Sequence, residues 1–105
     1  MLYKIIWLQA ASEDMEELYD YYAEKSINTA VKIYNEILEE ADILIHHPNT
    51  AAVEQLLDGF TKCYRALVVS KGKYKLVYTV KDSNIYIVRV WNCRQNPEKL
   101  KSAFK

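Results

Sequence analysis

Arg65, Lys75 and Arg89 each stand inside a run of β-branched and aromatic residues, and Arg94 follows the last of those runs. Cations gathered on one surface can hold a phosphate or a carboxylate and stabilise negative charge as it develops. Cleavage at such a phosphate also needs a group that moves a proton. The sequence offers Glu54, upstream of the basic runs, and the pair His46 and His47. Nothing in the spacing of Glu54 separates it from a surface carboxylate, and imidazoles that end a helical run suit the dipole there. No spacing supports a metal site, and no cofactor is implied. Tyrosines can stack on bases, yet Tyr64, Tyr74, Tyr78 and Tyr86 read as packing residues. The bland reading of Arg65, Lys75 and Arg89 is solvated cations on a partly covered sheet, with Lys71 and Lys73 as solvated turn residues.

Composition removes several other functions. With 105 residues the chain is expected to be one domain, residues 1–105, with a small core. Half of it is hydrophobic and 27% is charged, which suits a folded domain rather than a disordered tail. Two glycines leave no loop to cradle phosphates, and no apolar run approaches a membrane span of about 20 residues. No signal peptide is evident, so a cytoplasmic location is the default. Cys63 and Cys93 are too few and too far apart for a disulfide scaffold and read as reduced. The net charge of zero hides an asymmetry. Residues 1–50 carry three lysines against ten carboxylates, whereas residues 51–105 carry eleven cations against four carboxylates. A basic layer of this kind can attract phosphates or an acidic partner; solvated helix faces are the alternative.

The elements that must position the cations follow from periodicity. Residues 2–8 read as a short strand. A helix capped by Ser12 follows, with Met15, Leu18, Tyr19 and Tyr22 at helical spacing, and ends near Lys25. Ser26 caps a second helix whose stripe is Ile27, Val31, Tyr34, Leu38, Ala41 and Ile45, closed by His46, His47 and Pro48. The two form an antiparallel hairpin with Glu16, Glu17, Asp20, Glu24, Glu36 and Glu39 outside. Residues 49–58 connect, with a helical turn at 53–57 and a turn at Asp58-Gly59. Strands at 63–70, 74–80 and 85–91, separated by hairpin-type turns, make an antiparallel meander. Asn96 and Pro97 open a terminal helix over 98–104. The fold class is therefore α+β, with the helices on one face of the sheet.

Alternation assigns the faces, because successive strand residues point to opposite sides. Tyr64, Ala66 and Val68, then Tyr74, Leu76, Tyr78 and Val80, then Tyr86, Val88 and Val90 are expected to face the helices. Arg65, Lys75 and Arg89 then share the other face with Leu67, Val69, Val77, Ile87 and Trp91. Such a mixture of cations and apolar residues is expected to meet a partner segment, the C-terminal tail or a nucleic acid.

The order strand, helix hairpin and meander, with Cys63-Tyr64-Arg65-Ala66-Leu67-Val68-Val69, Tyr74-Lys75-Leu76-Val77-Tyr78 and Val90-Trp91-Asn92-Cys93-Arg94-Gln95-Asn96-Pro97, resembles the RelE/ParE superfamily of small toxins over nearly the whole chain. The resemblance implies the toxin of a type II toxin–antitoxin module, of the kind called plasmid stabilisation proteins, made with a cognate antitoxin as partner. Its implied target is DNA gyrase for a ParE-like, non-enzymatic inhibitor, or the ribosome and its mRNA for a RelE-like endoribonuclease. By the same resemblance Arg65, Lys75 and Arg94 fall where RelE-like enzymes carry phosphate-handling cations. A second strand lysine of that pattern falls on Leu67. The C-terminal tyrosine falls near Leu100, and no tyrosine follows Tyr86. These departures tilt the expectation toward the gyrase inhibitor, with RNA cleavage and a non-toxic interaction module on the same fold as alternatives. Arg65, Lys75 and Arg94 are carried forward as phosphate or partner contacts.

Overall fold

The computed structural model describes residues 2–54, 63–94 and 99. Along the chain run β1 (Lys4–Trp7), α1 (Gln9–Ala23), α2 (Ile27–Ala41), α3 (Ile43–His46), β2 (Ala52–Val53), β3 (Arg65–Val69), β4 (Tyr74–Lys81) and β5 (Asn84–Asn92). The five strands make one sheet in the order β1-β5-β4-β3-β2. The expected meander is β3, β4 and β5, all antiparallel. β1 lies parallel to β5, with Lys4 beside Asn84 and Trp7 beside Ile87. The sheet is therefore mixed, and its first and last strands are neighbours.

α1 begins directly after β1 and is not capped by Ser12. Gln9, Ala10 and Ala11 are good or tolerant helix formers, so the helix starts as soon as Leu8 leaves the extended region, and the Ser12 amide already donates to the Leu8 carbonyl at 3.0 Å. Ser26 does cap α2, its Oγ accepting from the Thr29 amide at 3.3 Å. The single helix expected through residue 45 is broken at Asp42. There the Asp42 amide donates to the Glu39 carbonyl and the Ile45 amide to the Asp42 carbonyl, a tighter three-residue span. The break lets Leu44 become fully buried and brings the Ile45 carbonyl to the Tyr3 amide at 3.1 Å, fastening the entry to β1.

The core lies between the helices and one sheet face. Ala11, Met15 and Leu18 of α1, with Ile33, Ile37 and Ala41 of α2, recur at helical spacing and pack against Val69, Tyr74, Leu76, Tyr78, Ile85, Ile87 and Val90. β4 thus presents the expected residues. β3 is out of phase with expectation: Leu67 and Val69 join the core and Val68 is 61% exposed. Both sets in 66–69 are apolar, so alternation alone could not choose between them. In β5 the phase changes along the strand. Ile87 pairs with Tyr78 and Arg89 with Val77, so Val88 is an inserted residue, a β-bulge. Before it Ile85 and Ile87 face inward in place of Tyr86; after it Val90 does, as expected. In the connector, Val53 is extended in β2 and pairs with Arg65, not helical. The rest of that proposed helical turn, the Asp58-Gly59 turn and nearly all of the proposed 98–104 helix lie outside the described residues.

The turn between β3 and β4 is held from outside. Ser70, Lys71 and Gly72 all have left-handed backbone, φ +52°, +55° and +88°. For Ser70 and Lys71 this conformation is costly. Glu40 of α2 offsets it, its Oε2 accepting from the buried Ser70 amide at 2.9 Å. Removing the carboxylate with Glu40→Ala leaves that amide without its acceptor and should cost about 1–2 kcal/mol. Urea titration should show the lower midpoint, with Glu40→Gln recovering much of it because an amide oxygen still accepts.

Candidate functional site

Where α1 meets the ends of β4 and β5 the surface opens into a cleft of about 340 Å³. Asp14 fixes its back. The carboxylate reaches from α1 to β5, where Oδ2 accepts from Arg89 Nε at 2.8 Å and Oδ1 from Arg89 Nη2 at 3.0 Å. Oδ2 also accepts from the Val90 amide at 2.9 Å, beside the bulge. The bonds to Asp14 hold the Arg89 guanidinium in its charged form more firmly than in water, against partial burial. The bulge thus has a use: it brings an arginine and a backbone amide to one helix carboxylate.

Two phenols form the floor. Tyr74 donates to the Tyr22 hydroxyl oxygen at 3.3 Å, and burial first, then that hydrogen bond, pushes the Tyr74 hydroxyl well above the ordinary phenol range, with Arg94 opposing the rise. Lys73 and Arg94 complete the lining. Their backbones are tied, since the Cys93 amide donates to the Lys73 carbonyl at 3.0 Å, and Asn92 Oδ1 accepts from the Arg94 amide at 2.9 Å. Both side chains are exposed and neither has an ion-pair partner among the described residues.

The three cations singled out from sequence are not brought together. Arg65 lies opposite Tyr78, on the helix side of the sheet, where its Nη1 donates to the Ala51 carbonyl at 2.7 Å. Lys75 pairs with Val68, on the other face, and its Nζ meets Glu54 Oε2 at 2.5 Å, with side chains only 16% and 10% exposed. The shared basic face is therefore corrected in part: the phase of β3 carries Arg65 to the helix side, whereas Arg89 pairs with Val77 and Trp91 with Lys75, so Arg89 and Lys75 keep a common face by register, the first bonded to Asp14 and the second to Glu54. Of Arg65, Lys75 and Arg94, only Arg94 lines the cleft. His46 and His47 end α3 with ring centroids 6.4 Å apart, and no metal-binding cluster occurs among the described residues. Cys63 and Cys93 are free thiols. Sequence reasoning passed over Asp14 as a helix-dipole carboxylate and Lys73 as a turn cation. Their places come from the segments folded opposite them, Arg89 and the Val90 amide for Asp14 and Cys93 for Lys73, which no local pattern of residues shows.

A family model described as the ParE toxin of the type II toxin–antitoxin system parDE matches residues 5–97. The chain belongs to the ParE toxin family. Among solved structures, this ParE-family chain is similar to one from the chromosomal ParDE TA system of P. aeruginosa, with TM-score 0.72 and 22% identity over 87% of this chain and 96% of that one. It is also similar to a chain of the archaeal RelE–RelB complex from Pyrococcus horikoshii OT3, with TM-score 0.58 and 20% identity over 91% and 100% of the two chains. Both likenesses are of fold. No curated protein gives a significant match. The expected superfamily and its α+β architecture are thereby established for the ParE-family chain. Among its described residues no helix is long and apolar enough to cross a membrane.

Proposed function

We propose that this ParE-family toxin arrests growth by binding DNA gyrase, without nuclease chemistry, and is kept silent by a separate cognate antitoxin. The observation that carries the reading is the dispersal of the cations. In-line attack on an RNA phosphate needs several cations converging on one group together with a placed proton carrier. Here Arg65 is spent on the Ala51 carbonyl on one face and Lys75 on Glu54 on the other. Of the three cations that the RelE-like pattern carries, Arg94 alone reaches the cleft, where it lies with Lys73 and an Arg89 already paired to Asp14, and the sequence has no tyrosine beyond Tyr86 to support it. A surface that binds a protein target requires no such convergence. The family match and the ParDE likeness support the pairing with an antitoxin.

Controlled expression without the antitoxin, following thymidine and amino-acid incorporation in one culture, tests the target. Thymidine incorporation is expected to fall first, and the purified chain is expected to inhibit supercoiling by gyrase at near-stoichiometric concentration. An earlier fall in amino-acid incorporation overturns the gyrase reading in favour of mRNA cleavage on the ribosome. Soluble protein with neither effect overturns toxicity itself and leaves an interaction module on a toxin fold.

A further inference from the structure

The sheet's cations are neutralised or bonded one by one: Arg65 by a carbonyl, Lys75 by Glu54, Arg89 by Asp14. Lys73 and Arg94 have no ion-pair partner among the described residues and lie exposed at one cleft, the Lys73 carbonyl accepting from the amide of Cys93, the residue before Arg94. Two like charges carried on neighbouring strand ends favour an anion between them. The floor adds a donor. Tyr74 gives its hydroxyl hydrogen to Tyr22, which leaves the hydrogen of Tyr22 for an acceptor in the cleft. The wall beside these polar groups is apolar, formed by Leu18 and by Tyr21, whose surface is 54% exposed.

We propose that this cleft is where the antitoxin docks an acidic segment, seating one carboxylate between Lys73 and Arg94 and an adjoining apolar side chain against Leu18 and Tyr21. This rests on the toxin–antitoxin reading above and gives the antitoxin contact a place beside α1 of the helix hairpin. A peptide suits the site better than a nucleic acid because Glu17 lines the same cleft, and Glu13 and Glu17 both act electrostatically on Arg89. A strand of closely spaced phosphates meets those carboxylates at every register, whereas a single peptide carboxylate lies between the cations and avoids them.

The test is a titration of the purified, isotope-labelled chain, read by backbone amide shifts. The probes are the acidic hexapeptide acetyl-SFELSN-amide, which carries one carboxylate, its neutral counterpart acetyl-SFQLSN-amide, and hexathymidylate. The acidic peptide is expected to shift the amides of Lys73, Asn92 and Arg94, and the neutral one to bind at least tenfold more weakly. The double variant Lys73→Met with Arg94→Met should lose at least tenfold in affinity for the acidic peptide. Lys81→Met, at the far end of β4, should lose none. If the double variant misfolds, the Gln versions of both substitutions make the same comparison with polar side chains retained.

Equal affinity of the folded double variant, shifts confined to other surfaces, or no binding at millimolar peptide overturns the proposal. So does hexathymidylate binding the same amides more tightly than the acidic peptide, which assigns the cleft to nucleic acid. The titration does not depend on growth arrest. Cleft binding without arrest therefore sinks the toxin reading alone, and arrest without cleft binding sinks this one alone.

Discussion

Asp14→Ala should destabilise the protein by about 3 kcal/mol, because breaking a largely buried ion pair by deleting one partner costs roughly 3–5 kcal/mol, less some relief from water. The side chains of Arg89 and Asp14 are 25% and 13% exposed, enough to be partly wetted and too little to be freely solvated. The variant strands a guanidinium and removes the acceptor of the Val90 amide. For a chain of this size about 3 kcal/mol corresponds to a melting temperature lower by roughly 12–24 °C. Urea denaturation and a thermal melt check it. Asp14→Asn separates the contributions, since its oxygen can still accept from Val90 while the charge is gone; it should lose roughly half as much. Arg89→Met combined with Asp14→Ala should be less harmful than the two single losses summed, as coupled partners require. A loss below about 1 kcal/mol for Asp14→Ala shows that the pair is not what joins α1 to β5.

Tyr78→Ala should be about as severe, at roughly 4 kcal/mol, through loss of a fully buried ring and the cavity left behind. Tyr78→Phe divides that cost. The hydroxyl donates to the Pro48 carbonyl at 2.7 Å, so removing it alone should cost about 1–2 kcal/mol while the ring stays packed. Arg65 and Tyr78 lie opposite each other and hold the carbonyls of Ala51 and Pro48, two stitches on one short stretch between α3 and β2. Equilibrium unfolding of the two variants tests the division. If Phe is as damaging as Ala, the hydrogen bond outweighs the packing, and the weight assigned here to the core is wrong.

These residues also show where sequence is informative. Ser26 marked the junction of α1 and α2 because its cap is local chemistry, and Tyr74, Leu76, Tyr78 and Val80 fell inward because polar residues separate some of them. Residues 66–69 are apolar on both faces, so the inward phase of β3 is set by what the rest of the sheet demands. Arg65 was misplaced for that reason. Arg89 kept the face that alternation assigned it, whereas Tyr86 and Ile87 were interchanged because Val88, an ordinary strand residue, is the insertion in β5, and a bulge alters no composition. The position of β1 next to β5 is a long-range choice that no window of sequence contains. Of the candidate site, Arg94 was legible by family resemblance. Lys73 and Asp14 were not, since their significance comes from the chain segments placed opposite them.

The neighbourhood of β1 and β5 sets a clock on biosynthesis. Lys4 pairs with Asn84, 80 positions later, so the first strand of the sheet waits about 4–16 s of translation for its partner at roughly 5–20 residues per second. During that interval Asp14 has no Arg89, the floor around Tyr22 lacks Tyr74, and the inward stripe of α1 and α2 has no sheet beneath it. A nascent chain interrupted before the last strand therefore lacks the cleft altogether. On the docking proposed above, such a product offers an antitoxin no seat for its carboxylate, and the seat exists only when that strand has been made.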